Sequence, residues 1–200
     1  MVRQHNSQET RELIIDSAIG LFIEKGYSHT TLEDIVRRVG LTRGAFYWNF
    51  KSKKDILDEV VDRYEEFYRE IYASYRHFES AYETVKSFLT CDFLKKNVDN
   101  PYTKIILYKV EACDELSDLA ERQARLDREF TSLIEGEIKR GQDLGEFRRD
   151  KSARMLTLSV YMNLLGFDTY NASQDTGEQN RYFSEEEIAD FVEVILSSLV

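Results

Sequence analysis

Residues Thr42–Phe50 read Thr-Arg-Gly-Ala-Phe-Tyr-Trp-Asn-Phe, and three lysines follow within the next four positions. Treated as a helix, this stretch places Phe46 and Phe50 on one side, because they are four residues apart. A short helix that is apolar on one side and basic and aromatic on the other suits the major groove of DNA. The side opposite the two phenylalanines combines a cation, a glycine that permits close approach and two aromatic rings with polar tips: Arg43, Gly44, Tyr47 and Trp48.

The residues before this stretch predict a helix-turn-helix. Thr30 and Glu33 have the spacing of a capping box, with Thr30 as the cap of a helix. That helix runs to about Val39, Gly40 breaks it, and Thr42 can cap the next helix. Two helices joined by a short turn with a glycine form this motif. The basic and aromatic residues on the outer side of the second helix make DNA the expected partner.

Composition and charge distribution fit a helical protein with a local DNA-binding region. The 200 residues suffice for a sizeable core, and a single proline leaves long segments without a helix breaker. The net charge is −10, but residues 1–54 carry nine Lys/Arg against six Asp/Glu, whereas residues 55–200 carry eighteen against thirty-one. The basic part is therefore local, and the acidic remainder disfavours non-specific binding to nucleic acid.

We predict an all-α fold of about nine helices in two domains. Residues 1–52 form a three-helix helix-turn-helix domain, and residues 53–200 form a helical body. A long helix at about 53–76 connects the two. The other predicted helices cover approximately residues 8–25, 31–39, 42–50, 81–96, 102–113, 116–140, 151–170 and 184–199. Further expected boundaries are the caps Ser52 (with Asp55), Asp150 and Ser184 (with Glu187), the helix end Gly26, and the loop glycines Gly141 and Gly145.

The last two predicted helices, at about 151–170 and 184–199, are apolar on nearly all sides. Such a helix is buried on several sides, and in a chain of this size a second subunit is the natural cover. We therefore predict a homodimer with a four-helix interface, two helices from each copy. A central helix in a monomeric core is the alternative. The predicted interface residues are Leu156, Val160, Leu164, Phe191, Ile195 and Leu199.

The sequence lacks the motifs of other functional classes. Its two cysteines and three histidines have no metal-ligand or disulfide-framework spacing, and it has neither a Gly-rich phosphate loop nor a nucleophile elbow. We predict that the chain is not an enzyme and uses no metal or cofactor. It shows no signal-peptide pattern and no apolar run of about 18 residues, so we expect a cytoplasmic protein without a membrane partner.

The segment from Thr30 to Asp55 resembles the DNA-binding head of TetR-family transcriptional repressors. Two segments, 42–48 and 105–111, are also similar to the multidrug-efflux repressors of the AcrR and TtgR type. The resemblance implies a homodimer that represses transcription from a palindromic double-stranded DNA operator until an effector releases it. It is carried by Thr31, Ile35, Val39-Gly40-Leu41-Thr42, Gly44, Phe46-Tyr47-Trp48-Asn49-Phe50-Lys51 and Ser52-Lys53-Lys54-Asp55.

Arg43 is the expected base reader, because an arginine at the start of a recognition helix can grip guanine O6 and N7 together. Gly44 lets the backbone approach the bases, and Thr42 caps the helix and contacts either a base or a phosphate. The other residues hold sugar and phosphate and set the register. Many family members have histidine where this chain has Asn49, so we expect a weaker, less pH-dependent phosphate contact there. The predicted DNA-binding residues are Thr31, Thr42, Arg43, Gly44, Tyr47, Trp48, Asn49, Lys51 and Lys53.

The resemblance also implies an effector pocket in the body, framed by the fourth to eighth predicted helices. Its mixture of aromatic, apolar and amide groups suits an apolar or amphipathic small molecule. Glu65 matches an acidic pocket residue of the multidrug-type relatives, which would favour cationic ligands. Aromatic residues at helical spacing also occur in an ordinary core, so that interpretation stays open. The candidate pocket residues are Glu65, Tyr68, Tyr72, Phe88, Ile105, Tyr108, Phe130, Tyr161, Asn163 and Phe167.

Control of the DNA-binding dimer has two possible sources. The two recognition helices would lie about 34 Å apart on a palindromic operator. A small molecule regulates such a dimer only if it binds one spacing of the heads better than another. In the alternative hypothesis, a partner protein controls the dimer, or no small-molecule effector does.

Overall fold

A computed structural model describes residues 7–90, 105, 117–173 and 183–200. Regular structure within these ranges is helical, and Ile105 also lies in helical backbone. The prediction of an all-α fold is confirmed. The helices of the described ranges are α1 (Ser7–Lys25), α2 (Leu32–Val39), α3 (Arg43–Asn49), α4 (Lys53–Ala73), α5 (Ala81–Thr90), α6 (Ser117–Leu144), α7 (Ala153–Ser173) and α8 (Glu185–Ser197).

Most predicted helix ends lie within a few residues of the observed ones. α4 ends at Ala73 rather than at about residue 76, and α6 continues to Leu144 rather than to about residue 140. The helix predicted at about 102–113 falls outside the described residues except for Ile105. The last part of the fifth predicted helix, 91–96, also falls outside them.

Internal contacts divide the chain into two compact units, Met1–Phe67 with Pro101–Leu119 and Tyr68–Asn100 with Ala120–Val200. The first unit contains α1–α3 and the beginning of α4, and one hydrophobic cluster joins these helices. Burying one large apolar side chain contributes about 1.5–3 kcal/mol, so this cluster is the main source of the unit's stability. Its fully buried large side chains include Ile14, Phe22, Ile35, Phe46, Ile56 and Ile105.

Local side-chain chemistry starts and ends several helices where the sequence predicts. The hydroxyls of Thr42, Ser52 and Ser184 each accept a hydrogen bond from the N–H three residues on, at 3.2, 3.1 and 3.2 Å. Gly26 and Gly40 follow α1 and α2 with φ of 84° and 74°. This left-handed backbone ends a helix at low cost only in glycine. These predicted boundaries are confirmed.

The predicted cap of α2 is wrong by one residue. Thr31, not Thr30, accepts the hydrogen bond from the Asp34 N–H, and the Asp34 carboxylate accepts one from the Thr31 N–H at 3.0 Å. Thr30 is 1% exposed, and its hydroxyl donates to the Gly26 carbonyl at 2.8 Å. Thr30 therefore closes the turn that leads into α2, whereas Thr31 caps the helix.

The predicted cap of α7 is also wrong. The helix begins at Ala153, and the Ser152 hydroxyl accepts from the Met155 N–H at 3.2 Å. Asp150 instead receives two hydrogen bonds from the Arg148 guanidinium, at 2.6 and 2.8 Å. These bonds stabilise the ionised form and lower the pKa of Asp150 to about 2.

In the second unit, polar contacts hold α5 next to the C-terminal part of α6. The Glu146 carboxylate accepts from the Tyr82 N–H at 2.8 Å and from the Ser80 hydroxyl at 3.1 Å. Because α5 begins at Ala81, this carboxylate lies where a helix N-terminus favours negative charge. The Arg140 guanidinium donates to the Thr84 hydroxyl at 3.0 Å and so adds a second link from α6 to α5.

Gly141 lies inside α6 and does not open the following loop, which corrects the sequence prediction. Gly145, with φ of 79°, lies just beyond the helix end. A Cβ atom at Gly141 would lie 2.1 Å from the Phe147 ring, so the missing side chain makes room for that ring. Phe147 is 3% exposed, and its N–H donates to the Gly141 carbonyl at 3.2 Å. The glycine is therefore required by packing and not by a turn.

We predict that Gly141→Ala lowers the free energy of unfolding by about 1–3 kcal/mol, because the methyl group displaces Phe147. Gly136 is the matched control, since it lies in the same helix and an added Cβ meets nothing within 4 Å. Gly136→Ala should raise the stability by up to about 1 kcal/mol through helix propensity. Urea unfolding of both variants checks this, and an equal gain for the two would contradict the packing role.

Candidate functional site

The helix α3 has one face inside the first unit and one face exposed. Phe46 and Phe50 are 1% and 2% exposed, and their ring centroids lie 6.4 Å apart. Tyr47 and Trp48 are 55% and 81% exposed. A large aromatic side chain that is mostly in water is unfavourable unless a partner covers it, so these two rings indicate a contact surface.

The beginning of α3 permits close approach to its backbone. Thr42 is exposed and caps the helix, and Gly44 follows two residues later. Among the described residues, the side-chain atom that a Cβ placed on Gly44 would approach is the Thr42 hydroxyl oxygen, at 4.0 Å. The fold therefore does not need a glycine at this position, and the open space is available to a ligand outside the protein.

Arg43, the predicted base reader, forms an ion pair with Glu33 in the first turn of α2. Its Nη2 lies 2.9 Å from the Glu33 Oε1, and the two side chains are 72% and 60% exposed. The sequence prediction had assigned Glu33 to a capping box, but Asp34 occupies that role. The carboxylate of Glu33 is thus directed to the recognition helix.

The N-terminus of α2 carries a second carboxylate that several donors surround. The Thr31 hydroxyl donates to Asp34 at 2.7 Å, Arg37 donates at 2.6 Å, and Lys25 forms an ion pair with the same group. The hydrogen bond from Lys25, followed by those from Thr31, lowers the pKa of Asp34 far below its usual range. Thr31 is exposed, as a phosphate contact requires, although its hydroxyl also serves the cap.

The structure places the remaining predicted phosphate-binding residues in different surroundings. Lys51 is exposed. Asn49 is half-buried, and its amide nitrogen donates to the Ala45 carbonyl at 2.9 Å. The Lys53 ammonium donates to the Tyr27 carbonyl at 2.7 Å and lies 4.0 Å from the centre of the Tyr27 ring. Lys53 therefore anchors α4 to the α1–α2 turn, and a phosphate would compete with these contacts.

Five of the predicted effector-site residues come together in the second unit. Tyr72 lies 6.0, 6.3 and 6.5 Å from Tyr68, Phe88 and Phe130, measured between ring centroids. Phe130 in turn lies 5.8 Å from Phe88 and 5.9 Å from Tyr161. We call these five residues the aromatic cluster. Its members lie on α4, α5, α6 and α7.

The other predicted effector residues of the described ranges have different surroundings. Ile105 is fully buried in the hydrophobic cluster of the first unit, and Glu65, 4% exposed, also belongs to that unit. Asn163 is exposed, and its amide donates to the Ser159 carbonyl. Phe167 stacks on Phe183 and Phe191 at 4.9 and 4.8 Å. Tyr108 lies outside the described residues.

A groove of about 350 Å³ lies between the end of α5 and the first half of α8. Leu89, Ile188 and Val192 contribute apolar lining to it, and Glu185 and Glu186 contribute carboxylates. The sequence prediction did not include it. The two carboxylates have an intrahelical explanation as well, because they occupy the first turn of α8, where negative charge is favourable.

The predicted dimer residues are mostly buried within the chain itself. Val160 and Leu199 are fully buried, and Leu156, Leu164 and Ile195 are at most 5% exposed. These five side chains therefore pack in the core of the second unit. Phe191 is half-buried against Phe167. These five predicted interface residues thus lie on the inward faces of α7 and α8 or just beyond α8.

Large apolar residues lie exposed on the other faces of these two helices. Met155 and Met162 are each 58% exposed on α7, and Val194 is 66% exposed on α8. The two methionines are seven residues apart and therefore share one face. Gly166 lies four residues beyond Met162 and is exposed, and a Cβ placed on it meets no atom of the described neighbouring residues within 4 Å. We call these three exposed side chains, Met155 and Met162 on α7 and Val194 on α8, the apolar face.

The sequence of the first unit matches a known family. Residues 14–60 match the sequence model described as "Bacterial regulatory proteins, tetR family". The HTH-type transcriptional regulator AcrR of Shigella flexneri is 31% identical over 141 residues, which span 68% of this chain and 66% of AcrR. The chain belongs to the TetR family. The resemblance inferred from residues 30–55 is thereby confirmed.

Two solved structures share the TetR-family fold of this chain. NalD, described as the secondary repressor of the MexAB-OprM multidrug efflux pump in Pseudomonas aeruginosa, aligns with a TM-score of 0.70 over 98% of each chain at 24% identity. The SmeT–triclosan complex aligns with a TM-score of 0.69 over 96% of this chain and 91% of SmeT at 26% identity. The fold assignment therefore extends beyond the head.

The described part of this TetR-family chain contains neither a candidate metal site nor a membrane-spanning helix. Among those side chains, no group of three or more His, Cys, Asp or Glu is placed to hold a metal ion. None of the helices described there has the length and apolar character needed to cross a membrane.

Arg11 on α1 is a residue of the TetR head that sequence reasoning missed. Its Nη1 donates to the Asn49 carbonyl at 2.9 Å, and its Nη2 donates to the Glu59 carboxylate at 2.8 Å. The guanidinium carbon lies 4.2 Å from the centre of the Phe50 ring. One side chain thus holds the C-terminal end of the recognition helix and the first half of α4, where the carbonyls of a helix favour a cation.

Ion pairs extend the Arg11 contact into a network. Arg63 on α4 lies 2.8 Å from Glu12 on α1 and 3.3 Å from Glu59 on its own helix. The hydrogen bond from Arg63 is the largest cause that lowers the pKa of Glu12. Two arginines and two carboxylates alternate from α1 to α4, so the position of α4 and the end of α3 are coupled through this network.

We predict that Arg11→Ala lowers the free energy of unfolding by about 1–3 kcal/mol, because the Asn49 carbonyl and the Glu59 carboxylate lose a charged donor. The same variant should bind DNA more weakly, since the end of α3 is no longer fixed. Arg38→Ala is the control, as Arg38 pairs with Glu24 on the surface, where such a pair contributes at most about 1 kcal/mol. Urea unfolding and DNA titration test both variants, and equal effects would exclude the positioning role of Arg11.

Proposed function

We propose that this TetR-family chain is a cytoplasmic, ligand-responsive repressor that binds a palindromic DNA operator as a homodimer. The observation that carries the proposal is the exposed face of α3, with Arg43, Gly44, Tyr47 and Trp48 on a helix that Phe46 and Phe50 fix from behind. The names of the relatives, a transcriptional regulator and an efflux repressor, support regulation of transcription over catalysis.

In this proposal, base recognition depends on the first turn of α3. The Arg43 guanidinium donates hydrogen bonds to O6 and N7 of a guanine, and Gly44 lets the helix backbone approach the base edges. Tyr47 and Trp48 pack on sugar and phosphate, and their O–H and N–H groups donate to phosphate oxygens. Thr31, Thr42, Asn49 and Lys51 set the register through further phosphate contacts. Lys53 takes part only if it leaves the Tyr27 carbonyl and ring and contacts a phosphate instead.

The dimer in this proposal forms through the apolar face. Met155, Met162 and Val194 are supported as contacts because a monomer would leave all three side chains in water. The buried residues named from the sequence support the same interface indirectly, since they hold α7 and α8 in place. A two-fold axis then relates the two heads, which matches the symmetry of a palindromic operator.

The effector in this proposal is an apolar or amphipathic small molecule that binds at the aromatic cluster. Five aromatic side chains from four helices supply an apolar lining with tyrosine hydroxyls as polar groups. The triclosan complex of SmeT supports this ligand class by analogy. α4 starts in the first unit and ends in the second, so a ligand that shifts its second half acts on the helix that Arg11 holds. Glu65 would favour a cationic ligand, and an efflux pump is the proposed target of regulation.

The competing proposal retains the DNA-binding dimer but replaces the effector by a partner protein or by no ligand. The ring contacts within the aromatic cluster favour this competing proposal, because such contacts are also typical of a packed core without a ligand. Thermal-shift screening with dyes, drugs, fatty acids and acyl-CoA separates the two, because a ligand of the native state raises the melting temperature. Intact DNA binding without a stabilising ligand would favour the competitor.

We predict that Arg43→Ala weakens binding to the selected operator by about 10- to 100-fold, because one bidentate guanine contact contributes about 1–3 kcal/mol of discrimination. Binding to random duplex DNA should weaken far less. Arg37→Ala is the matched control, because Arg37 is an exposed arginine of the same unit. Titrations at one fixed salt concentration measure both affinities. An equal loss on both DNAs would make Arg43 a phosphate contact.

We predict that Met162→Lys converts the dimer into a monomer, because an interface cannot bury the added charge at low cost. Leu144→Lys is the control, since Leu144 is also large, apolar and 55% exposed but lies at the end of α6. Sedimentation velocity at a concentration where the wild-type chain is dimeric gives the result. A Met162→Lys variant that stays dimeric would place the interface elsewhere.

A further inference from the structure

The ion pair between Glu33 and Arg43 joins the two helices of the helix-turn-helix at their exposed N-terminal ends. It uses Nη2 of Arg43 at 2.9 Å, whereas a guanidinium has five N–H groups. The Glu33 carboxylate can therefore hold the arginine while another edge of the guanidinium stays available for a bidentate contact. Capping does not account for Glu33, because Asp34 fills the capping box of α2.

The pair has a defined consequence for an arginine that must read a base. An unrestrained arginine has several rotatable bonds, and ordering them costs free energy when DNA binds. A carboxylate on the neighbouring helix pre-orders the guanidinium before DNA arrives. The same carboxylate repels a phosphate that approaches Arg43, because both are anions. Guanine O6 and N7 carry no full negative charge, so this repulsion acts less on the base contact.

We propose that Glu33 is a positioning residue that sets the base specificity of Arg43. It stays paired with Arg43 in the operator complex, directs the guanidinium to guanine, and disfavours phosphate contacts by the same side chain. This inference rests on the proposed function, since it requires Arg43 to read a base. Glu33 touches the arginine and acts through it, and the substrate of the site is a duplex with guanine at the position that Arg43 reaches.

The expected effect of Glu33→Gln differs between two kinds of DNA. Loss of the pre-ordering weakens binding to the operator, whereas loss of a negative charge strengthens binding to random duplex DNA. The ratio of the two affinities should fall by about 3- to 10-fold at fixed salt, the range expected for one oriented charge contact. Base selection at the guanine position should relax by a similar factor, while the urea midpoint stays within the error of the wild type because both side chains are exposed.

The control is Glu24→Gln, which removes one negative charge from the same unit. Glu24 pairs with Arg38 at 2.7 Å, and those side chains are 56% and 41% exposed, so the pair is comparable to that of Glu33 and Arg43. A change of net charge alone should strengthen binding to operator and random DNA equally. In an Arg43→Ala background, Glu33→Gln should behave like this control, because the residue it positions is absent.

The experiment selects an operator from a random duplex library with the full-length wild-type chain. It then measures the affinities of the single and double variants for that operator and for random DNA. A specificity ratio that falls for Glu33→Gln, and not for Glu24→Gln, supports the inference. A selective wild type with equal ratios for both variants overturns the inference alone. A wild type that binds all duplexes equally refutes the proposed function and this inference with it.

Discussion

The burial of Phe46 and Phe50 is the constraint on which the rest of the head depends. A helix of seven residues has little stability of its own, because nucleation offsets most of its few hydrogen bonds. The two rings supply the missing free energy by entering the core of the first unit, and in doing so they fix the rotation of α3 about its axis. The exposed position of Arg43, Gly44, Tyr47 and Trp48 is therefore a result of packing on the opposite side.

Charged groups then refine what the apolar contacts establish. Arg11 binds the last carbonyl of α3, and Glu33 binds its first side chain, so the helix is held electrostatically at both ends. Neither contact needs deep burial, and each alone contributes modestly to stability. Their effect is on position. The core determines which face of α3 points outward, and the ion pairs orient the C-terminal end of α3 and the Arg43 side chain. Because α4 carries Glu59 and Arg63, the same charges connect the recognition helix to the helix that continues into the second unit.

Local features of the fold could be predicted from sequence, and features that depend on distant partners could not. Gly26 and Gly40 end helices because of their own backbone freedom, and Thr42 caps α3 with a donor three residues away. Thr30 has the spacing of a cap for α2, but its hydroxyl closes the tertiary turn to Gly26, and Thr31 caps the helix instead. The contact of Arg11 spans 38 residues, and Gly141 appears as a loop residue unless Phe147 is known to pack on it. For α7 and α8, an apolar surface on all sides hid which face the chain buries by itself.

The open space around Gly44 lets the exposed face of α3 change for DNA recognition without a clash in the core. In many helices these two requirements conflict. A Cβ placed on Gly44 meets no side chain of the described residues closer than 4.0 Å, and Trp48 is 81% exposed. Amino-acid changes at these two positions thus disturb the core little, while they alter the chemistry of the exposed surface. Duplicated copies of such a gene could diverge in their target promoters without passing through unstable intermediates. The same property makes the head a practical scaffold for libraries that retarget a repressor to a chosen DNA sequence.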